Sequence, residues 1–277
     1  MITKISGKEY DLRLVALDVD GTLLNSKHEL GPFSFEVLNE LHERGLKITL
    51  ATGKNLPATQ AFIEQLGLEE PLIFSNGCVI QYADGRIAHN YHLERACVET
   101  TLQVCEKFKA DWMLYYPMEA VVAEMNFNAS IVLDYGGPTP RVCSAWRDLE
   151  NALDSVTKII IINRENPAFL NEIEKDLVFK LDGRAYTCHT LVPMLEVQPL
   201  GKTKASGLEI VTDMLGITMQ NTIAFGDGNN DAPMLSAAGF GAAVANATAL
   251  AKASADIVIG TNDECGPARF LAQLFMP

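Results

Sequence analysis

Residues 14–25 read LVALDVDGTLLN, an apolar run of strand character that stops abruptly at Asp18, Val19 and Asp20 and passes into Gly21-Thr22. A continuous apolar strand is the pattern of a parallel sheet covered on both faces. Two carboxylates two residues apart at its end repel each other. Burying either one is costly unless a cation or hydrogen bonds compensate. Asx and Gly are also what ordinary turns use, so the rest of the chain has to decide between a turn and a charged site.

Outward from this stretch, the N-terminal third alternates strand and helix. Pro32 opens a helix with Phe35, Leu38 and Leu41 at helical spacing, and Gly45 ends it. LKITLATG (46–53) is a second strand, LPATQAFIEQLG (56–67) a second helix and PLIFSNG (71–77) a third strand. From about His89 to about His189 the pattern shifts to aromatics and alternating strands, DWMLYYP, AVVAEM and KIIIIN, between helical stretches CVETTLQVCEKF and AFLNEIEKDL. The first rhythm then returns with an amphipathic helix in KTKASGLEIVTDMLG (202–216), a strand in NTIAFGDG (221–228) and short strands in GAAVAN and ADIVIG. The expected architecture is α/β: a doubly wound parallel-sheet (Rossmann-like) core from residues 1–86 and 190–277, interrupted by an inserted α+β domain over 87–189.

Four apolar strands finish on polar residues: Asp18-Val19-Asp20, Thr52-Gly53, Ser75-Asn76-Gly77 and Gly226-Asp227-Gly228. In an open parallel sheet these carboxyl ends lie along one edge, where ligands bind. Asp18, Asp20 and Asp227 are thus expected to bring three carboxylates to one point. Oxygen-only ligands suit a hard cation, and Mg²⁺ takes a few protein oxygens together with water and a phosphate oxygen. A calcium loop of the EF-hand kind is excluded, because neither DVDGTLLN nor DGNNDAPML carries its carboxylate spacing.

Composition narrows the partners. The 277 residues carry 35 acids against 22 bases, a net charge of −13. Generic binding to nucleic acid or to an anionic membrane needs a basic surface, which this balance does not supply. No apolar run approaches the ~20 residues of a membrane span, and MITKISGKEYDLR lacks the apolar stretch of a signal peptide. The six cysteines show no short paired spacing and read as free thiols of a cytoplasmic protein.

LDVDGTLLN, ATGK, SNG, GKTKASGL and FGDGNNDAPML, in this order, resemble the successive motifs of the haloacid dehalogenase-like superfamily. Within it the chain is most similar to Cof-type phosphatases, whose cap (type II, C2B) is inserted after the third core strand. The resemblance implies a Mg²⁺-dependent phosphatase of small phosphorylated metabolites, sugar or cofactor phosphates. It implies Asp18 as the nucleophile that forms an aspartyl-phosphate and Asp20 as the general acid and then base. Mg²⁺ would be held by the carboxylates of Asp18 and Asp227 and the backbone carbonyl of Asp20. Phosphate contacts fall to Thr52, Gly53, Lys204 and Asn230, with Asp231, Asn76 and Lys54 behind them. Lys54 stands where relatives usually carry Arg, and Lys202 competes with Lys204 for the phosphate role. Phosphomutases share the same core. Receiver modules also use Asp, Thr or Ser, and Lys at strand ends, but are compact and lack an insert.

Other residues carry blander readings. His89, His92 and His189 fall near the expected domain junctions and read as surface or hinge residues. Tyr115 and Tyr116 read as a strand with one face buried, and Asn246 and Ala247 receive no chemistry.

Overall fold

The computed structural model describes residues 1–5, 7–189 and 193–276. They form two compact units: Met1–Gly53, Gln60–Ala88 and Thr203 onward in the first, Lys54–Thr59 and His89–Lys202 in the second.

The first unit is built on a five-stranded sheet in the order Ile257–Ile259, Phe240–Val244, Thr222–Gly226, Leu14–Leu17, Lys47–Leu50, every neighbouring pair parallel. Every residue of Leu14–Leu17, Thr222–Gly226 and Phe240–Val244 is buried, as strands covered on both faces require. Alternation sorts their side chains between the two faces. Leu14, Ala16, Ala224 and Ala243 join Leu208, Val211, Met234 and Leu235 in one core cluster, under the helices Lys204–Leu215 and Ala232–Ala237. Phe225 and Phe240 meet Phe270 of the helix Gly266–Phe275.

The third expected strand is shorter and differently paired. Leu72–Phe74 joins the parallel sheet through a single bridge, Ala51 to Ile73, and then pairs antiparallel with Val79–Gln81.

The second unit holds a six-stranded sheet in the order Arg141–Val142, Ala120–Val122, Asp111–Tyr115, Lys158–Ile162, Met194–Pro199, Ala185–Cys188, antiparallel except for its first pair. The helices Arg95–Phe108 and Leu170–Leu181 bury Cys97, Leu102, Ile173 and Leu177 in one cluster with Leu114, Ile159, Ile161 and Val197 of the sheet. Met113, Tyr115, Ile160 and Met194 form a separate cluster with Ile131 and Val132.

The domain boundary departs from expectation. A return to the core at residue 190 falls on residues 190–192, outside the described ones. Beyond them, Met194–Pro199 pairs with Lys158–Ile162 and Ala185–Cys188, so the second unit runs on to Lys202. Apolar alternation marks a strand but not the sheet it joins. Among the described residues, no helix is long and apolar enough to cross a membrane.

Candidate active site

The strand Leu14–Leu17 delivers Asp18 in extended conformation, with its backbone N–H donating to Phe225 O at 3.0 Å. The chain then kinks through Asp20 (φ −78, ψ 127) and Gly21 (φ +75). Gly21 is required twice over. Its φ is left-handed, and a Cβ there would lie 2.5 Å from Asp227 Oδ2. The close approach seats the end of the strand Thr222–Gly226 against the Asp18 turn, and Thr22 Oγ1 donates to Asp227 Oδ1 at 3.4 Å.

Lys204 is the first residue of the helix Lys204–Leu215, whose start is secured by a capping box. Thr203 Oγ1 accepts from Ser206 N at 3.2 Å, and Ser206 Oγ accepts from Thr203 N at 3.0 Å. The buried ammonium donates to Asp18 Oδ1 and to Asp231 Oδ1, each at 2.5 Å. Asp231 is fully engaged, since its Oδ2 accepts from the backbone N–H groups of Asp227 (3.0 Å) and Gly228 (2.8 Å). Lys202 belongs to the second unit, where its Nζ lies 3.5 Å from the centre of the Tyr91 ring.

The electrostatics follow from crowding. Burial pushes the Asp227 carboxyl up to about 8, assisted by the charges of Asp18 and Asp231. Burial and Asp18 push Asp231 up to about 6 against the pull of Lys204. Burial alone would lower the Lys204 ammonium, but the two carboxylates outweigh it and hold the pKa above its ordinary value. Three carboxylates thus face one ammonium. Oxygens of Asp18, Asp227 and Asp231 lie within 4.8 Å of one another, and the buried Asp18 Oδ2 has no hydrogen-bond partner among the described residues. An all-oxygen donor set with uncompensated negative charge fits a hard divalent cation.

The third carboxylate of this cluster differs from the expected one. It is Asp231, whereas the Asp20 carboxylate lies beside His28, Oδ1 to Nδ1 3.2 Å. Two residues on from Asp18 would share its side only on a continuing strand, and the strand has already ended.

Beside the acidic centre a second group of expected residues comes together. Thr52 N donates to Ile73 O and Asn76 N to Thr52 O, both at 2.9 Å, tying two strand ends together. Asn76 Oδ1 would lie 3.2 Å from a Cβ on Gly53 and accepts from Asn230 Nδ2 at 3.0 Å. Ser75 and Asn76 are buried with positive φ, 49° and 56°, backbone strain of a kind that clusters at functional sites. Lys54 belongs to the segment Lys54–Thr59 of the second unit. His89, His92 and His189 are exposed, and His189 Nε2 pairs with Glu174 Oε2 at 3.1 Å. Tyr115 and Tyr116 are buried in the separate core clusters of the second unit.

Two supporting residues escaped the sequence reading. Asn246 Nδ2 donates to Gly21 O at 2.8 Å, pinning the kink after Asp20, and accepts at Oδ1 from Asn262 N. His28 has no motif around it; only its nearness to Asp20 in the chain was available as a signal.

A doubly wound α/β sheet thus gathers a lysine-bound carboxylate and an acidic cluster at its strand ends, the edge where α/β proteins bind their ligands. The family model of the haloacid dehalogenase-like hydrolases matches residues 15–271, and the chain belongs to that family. It is similar to HMP-PP phosphatase of Cronobacter sakazakii, 31% identical over 243 residues that cover 85% of each chain. With the 5-amino-6-(5-phospho-D-ribitylamino)uracil phosphatase of Bacillus subtilis it shares 29% identity over 267 residues, 96% of each chain. A solved haloacid dehalogenase-like hydrolase from Bacteroides thetaiotaomicron superposes with a TM-score of 0.86 at 26% identity, over 95% of this chain and 99% of that one. The protein is an enzyme of the phosphatase type found in this family.

Proposed function

We propose that the protein is a Mg²⁺-dependent phosphatase of small phosphorylated metabolites, sugar or cofactor phosphates, acting through an aspartyl-phosphate on Asp18. The observation that carries this reading is the buried Asp18 carboxylate. One oxygen is fixed by Lys204 at 2.5 Å and the other lacks a hydrogen-bond partner among the described residues. The two relatives named for small phosphorylated compounds support the substrate class.

In this reading an Asp18 oxygen attacks phosphorus as the ester P–O bond breaks, and Asp20 gives its proton to the departing oxygen. Asp20, now a carboxylate, takes a proton from the water that attacks the aspartyl-phosphate. Phosphate leaves and Asp18 is restored. Lys204 orients Asp18 and meets the phosphoryl charge, while Thr52, the Gly53 amide and Asn230 bind phosphoryl oxygens. Asn76 holds Asn230, and Asp231 holds Lys204 and the 227–228 backbone. The carboxylates of Asp18 and Asp227 and the Asp20 carbonyl would hold Mg²⁺, which when bound offsets the repulsion between a carboxylate nucleophile and an anionic phosphate. Lys54 remains a candidate substrate contact. Among the described residues no disulfide joins the six cysteines, which supports a reducing, cytoplasmic setting.

The test is phosphate release from a panel of sugar and cofactor phosphates, with Mg²⁺ and with EDTA, for the native protein and for Asp18→Asn. Metal-dependent release lost by about 10³-fold or more in the variant is the expected result. Retention of a tenth of the native rate would remove Asp18 from the nucleophile role.

A further inference from the structure

The acidic centre accounts for Asp18, Asp227, Asp231 and Lys204, but Asp20 is held by a different device. Its Oδ1 lies 3.2 Å from His28 Nδ1, at a half-exposed position: side-chain exposure is 40% for His28 and 25% for Asp20. His28 has φ +59, a left-handed conformation that is strained for a residue carrying a Cβ and persists only where the surroundings enforce it.

The surroundings do enforce it. Asn25 Oδ1 accepts from Lys27 N at 2.9 Å and Glu29 N at 3.0 Å. His28 N donates to Asn25 O at 2.9 Å and Asn25 N to Glu29 O at 3.0 Å, closing a tight turn. Ser26 N donates to Asp263 Oδ1 at 2.7 Å, and Asn262 Nδ2 to Leu24 O at 2.9 Å, fastening that turn to the C-terminal segment. On the other side of the contact, the Gly21 carbonyl is held by Asn246. Both backbones are fixed, and the imidazole and the Asp20 carboxyl meet between them.

We infer that His28 is a positioning residue for proton transfer: its Nδ1–H donates to Asp20 Oδ1 and holds the carboxyl group in one orientation toward the leaving oxygen. This rests on the reading of Asp20 as general acid. With Oδ1 accepting from the ring, the transferable proton sits on Oδ2. It moves to the leaving oxygen, which keeps the electron pair of the breaking P–O bond, while Asp18 forms the new bond to phosphorus.

Leaving-group dependence separates positioning from a merely structural role. p-Nitrophenyl phosphate releases a stable phenolate that needs no proton, whereas phenyl phosphate, of similar shape, releases a far more basic one. The quantity compared is kcat/KM, which ends at loss of the leaving group, for the native protein, His28→Ala, His28→Asn and Asp20→Asn. Each variant is judged by the ratio of its two substrates in one preparation, so a partly misfolded sample leaves the ratio unchanged. Asn tolerates the left-handed backbone and places an N–H donor where Nδ1 stood.

In His28→Ala, phenyl phosphate is expected to lose about tenfold more than p-nitrophenyl phosphate. His28→Asn should restore most of the native ratio, and Asp20→Asn should show the same selectivity more strongly. An unselective Asp20→Asn would overturn the general-acid reading itself. A selective Asp20→Asn beside an unselective His28→Ala, or an Asn variant no better than Ala, would overturn the role of His28 alone.

Discussion

Lys204 is 1% exposed and shared between two carboxylates, each at 2.5 Å. An ammonium taken that far from water stays charged only because Asp18 and Asp231 outweigh the cost of burial. Replacing it with an apolar side chain of similar length leaves both carboxylates without their shared cation. Lys204→Met is therefore expected to lower stability by about 3–5 kcal/mol, read from urea unfolding in EDTA, and to abolish phosphate release. A loss under about 1 kcal/mol would mean that the carboxylates are compensated by other groups. At this scale the sequence was informative wherever a residue stood at a strand end: Asp18, Thr52, Asn76 and Asp227 all lie where the apolar runs stop. It was blind to His28 and Asn246, because their contacts are set by turns and by chain crossings that no local pattern records.

The helix Lys204–Leu215 is positioned by two glycines facing each other. A Cβ on Gly77 (φ +95) would lie 2.1 Å from the Thr203 carbonyl oxygen, and one on Gly207 would lie 3.1 Å from Gly77 Cα and 2.6 Å from Ile73 Cγ2. Gly77→Ala must therefore displace the helix start that carries Lys204, as well as strain its own backbone. We expect a loss of roughly 2–4 kcal/mol from strain and overpacking together. A fall in kcat/KM should persist at temperatures where the variant is fully folded. Unchanged kcat/KM there would show that the helix start tolerates the shift. The helix itself was legible from Gly216 and its apolar spacing, as were the strands that are buried throughout. Leu72–Phe74 and Met194–Pro199 were placed less well, since their pairing partners are chosen by the fold and not by their own residues.

For the whole molecule, a net charge of −13 and a buried acidic cluster point the same way in pH. Asp227 is pushed up to about 8 by burial and by the charges of Asp18 and Asp231, and Asp231 up to about 6. In the unfolded chain each titrates at about 4. Between about 4 and 8 the folded protein thus binds more protons than the unfolded one, so the stability of the metal-free protein falls as pH rises through that window. A divalent cation binds the deprotonated carboxylates, so its stabilisation grows over the same range. Thermal unfolding at several pH values with EDTA and with Mg²⁺ checks this. The Tm in EDTA should fall toward pH 8, the gain from Mg²⁺ should rise, and Asp227→Asn should flatten both. An equal Mg²⁺ gain at every pH would contradict the placement of the cation among these carboxylates.

By itself the sequence determined the doubly wound core, the inserted α+β unit and the gathering of chemistry at the strand ends. Buried parallel strands demand unbroken apolar runs, and the polar residues that interrupt them are confined to one edge. Only the tertiary structure decided that Asp231 joins Asp18 and Asp227 in the cluster while Asp20 turns to His28, and that Met194–Pro199 extends the second sheet. Those outcomes depend on where a strand ends to within one residue and on contacts between segments far apart in the chain, which close packing settles and local residue pattern does not.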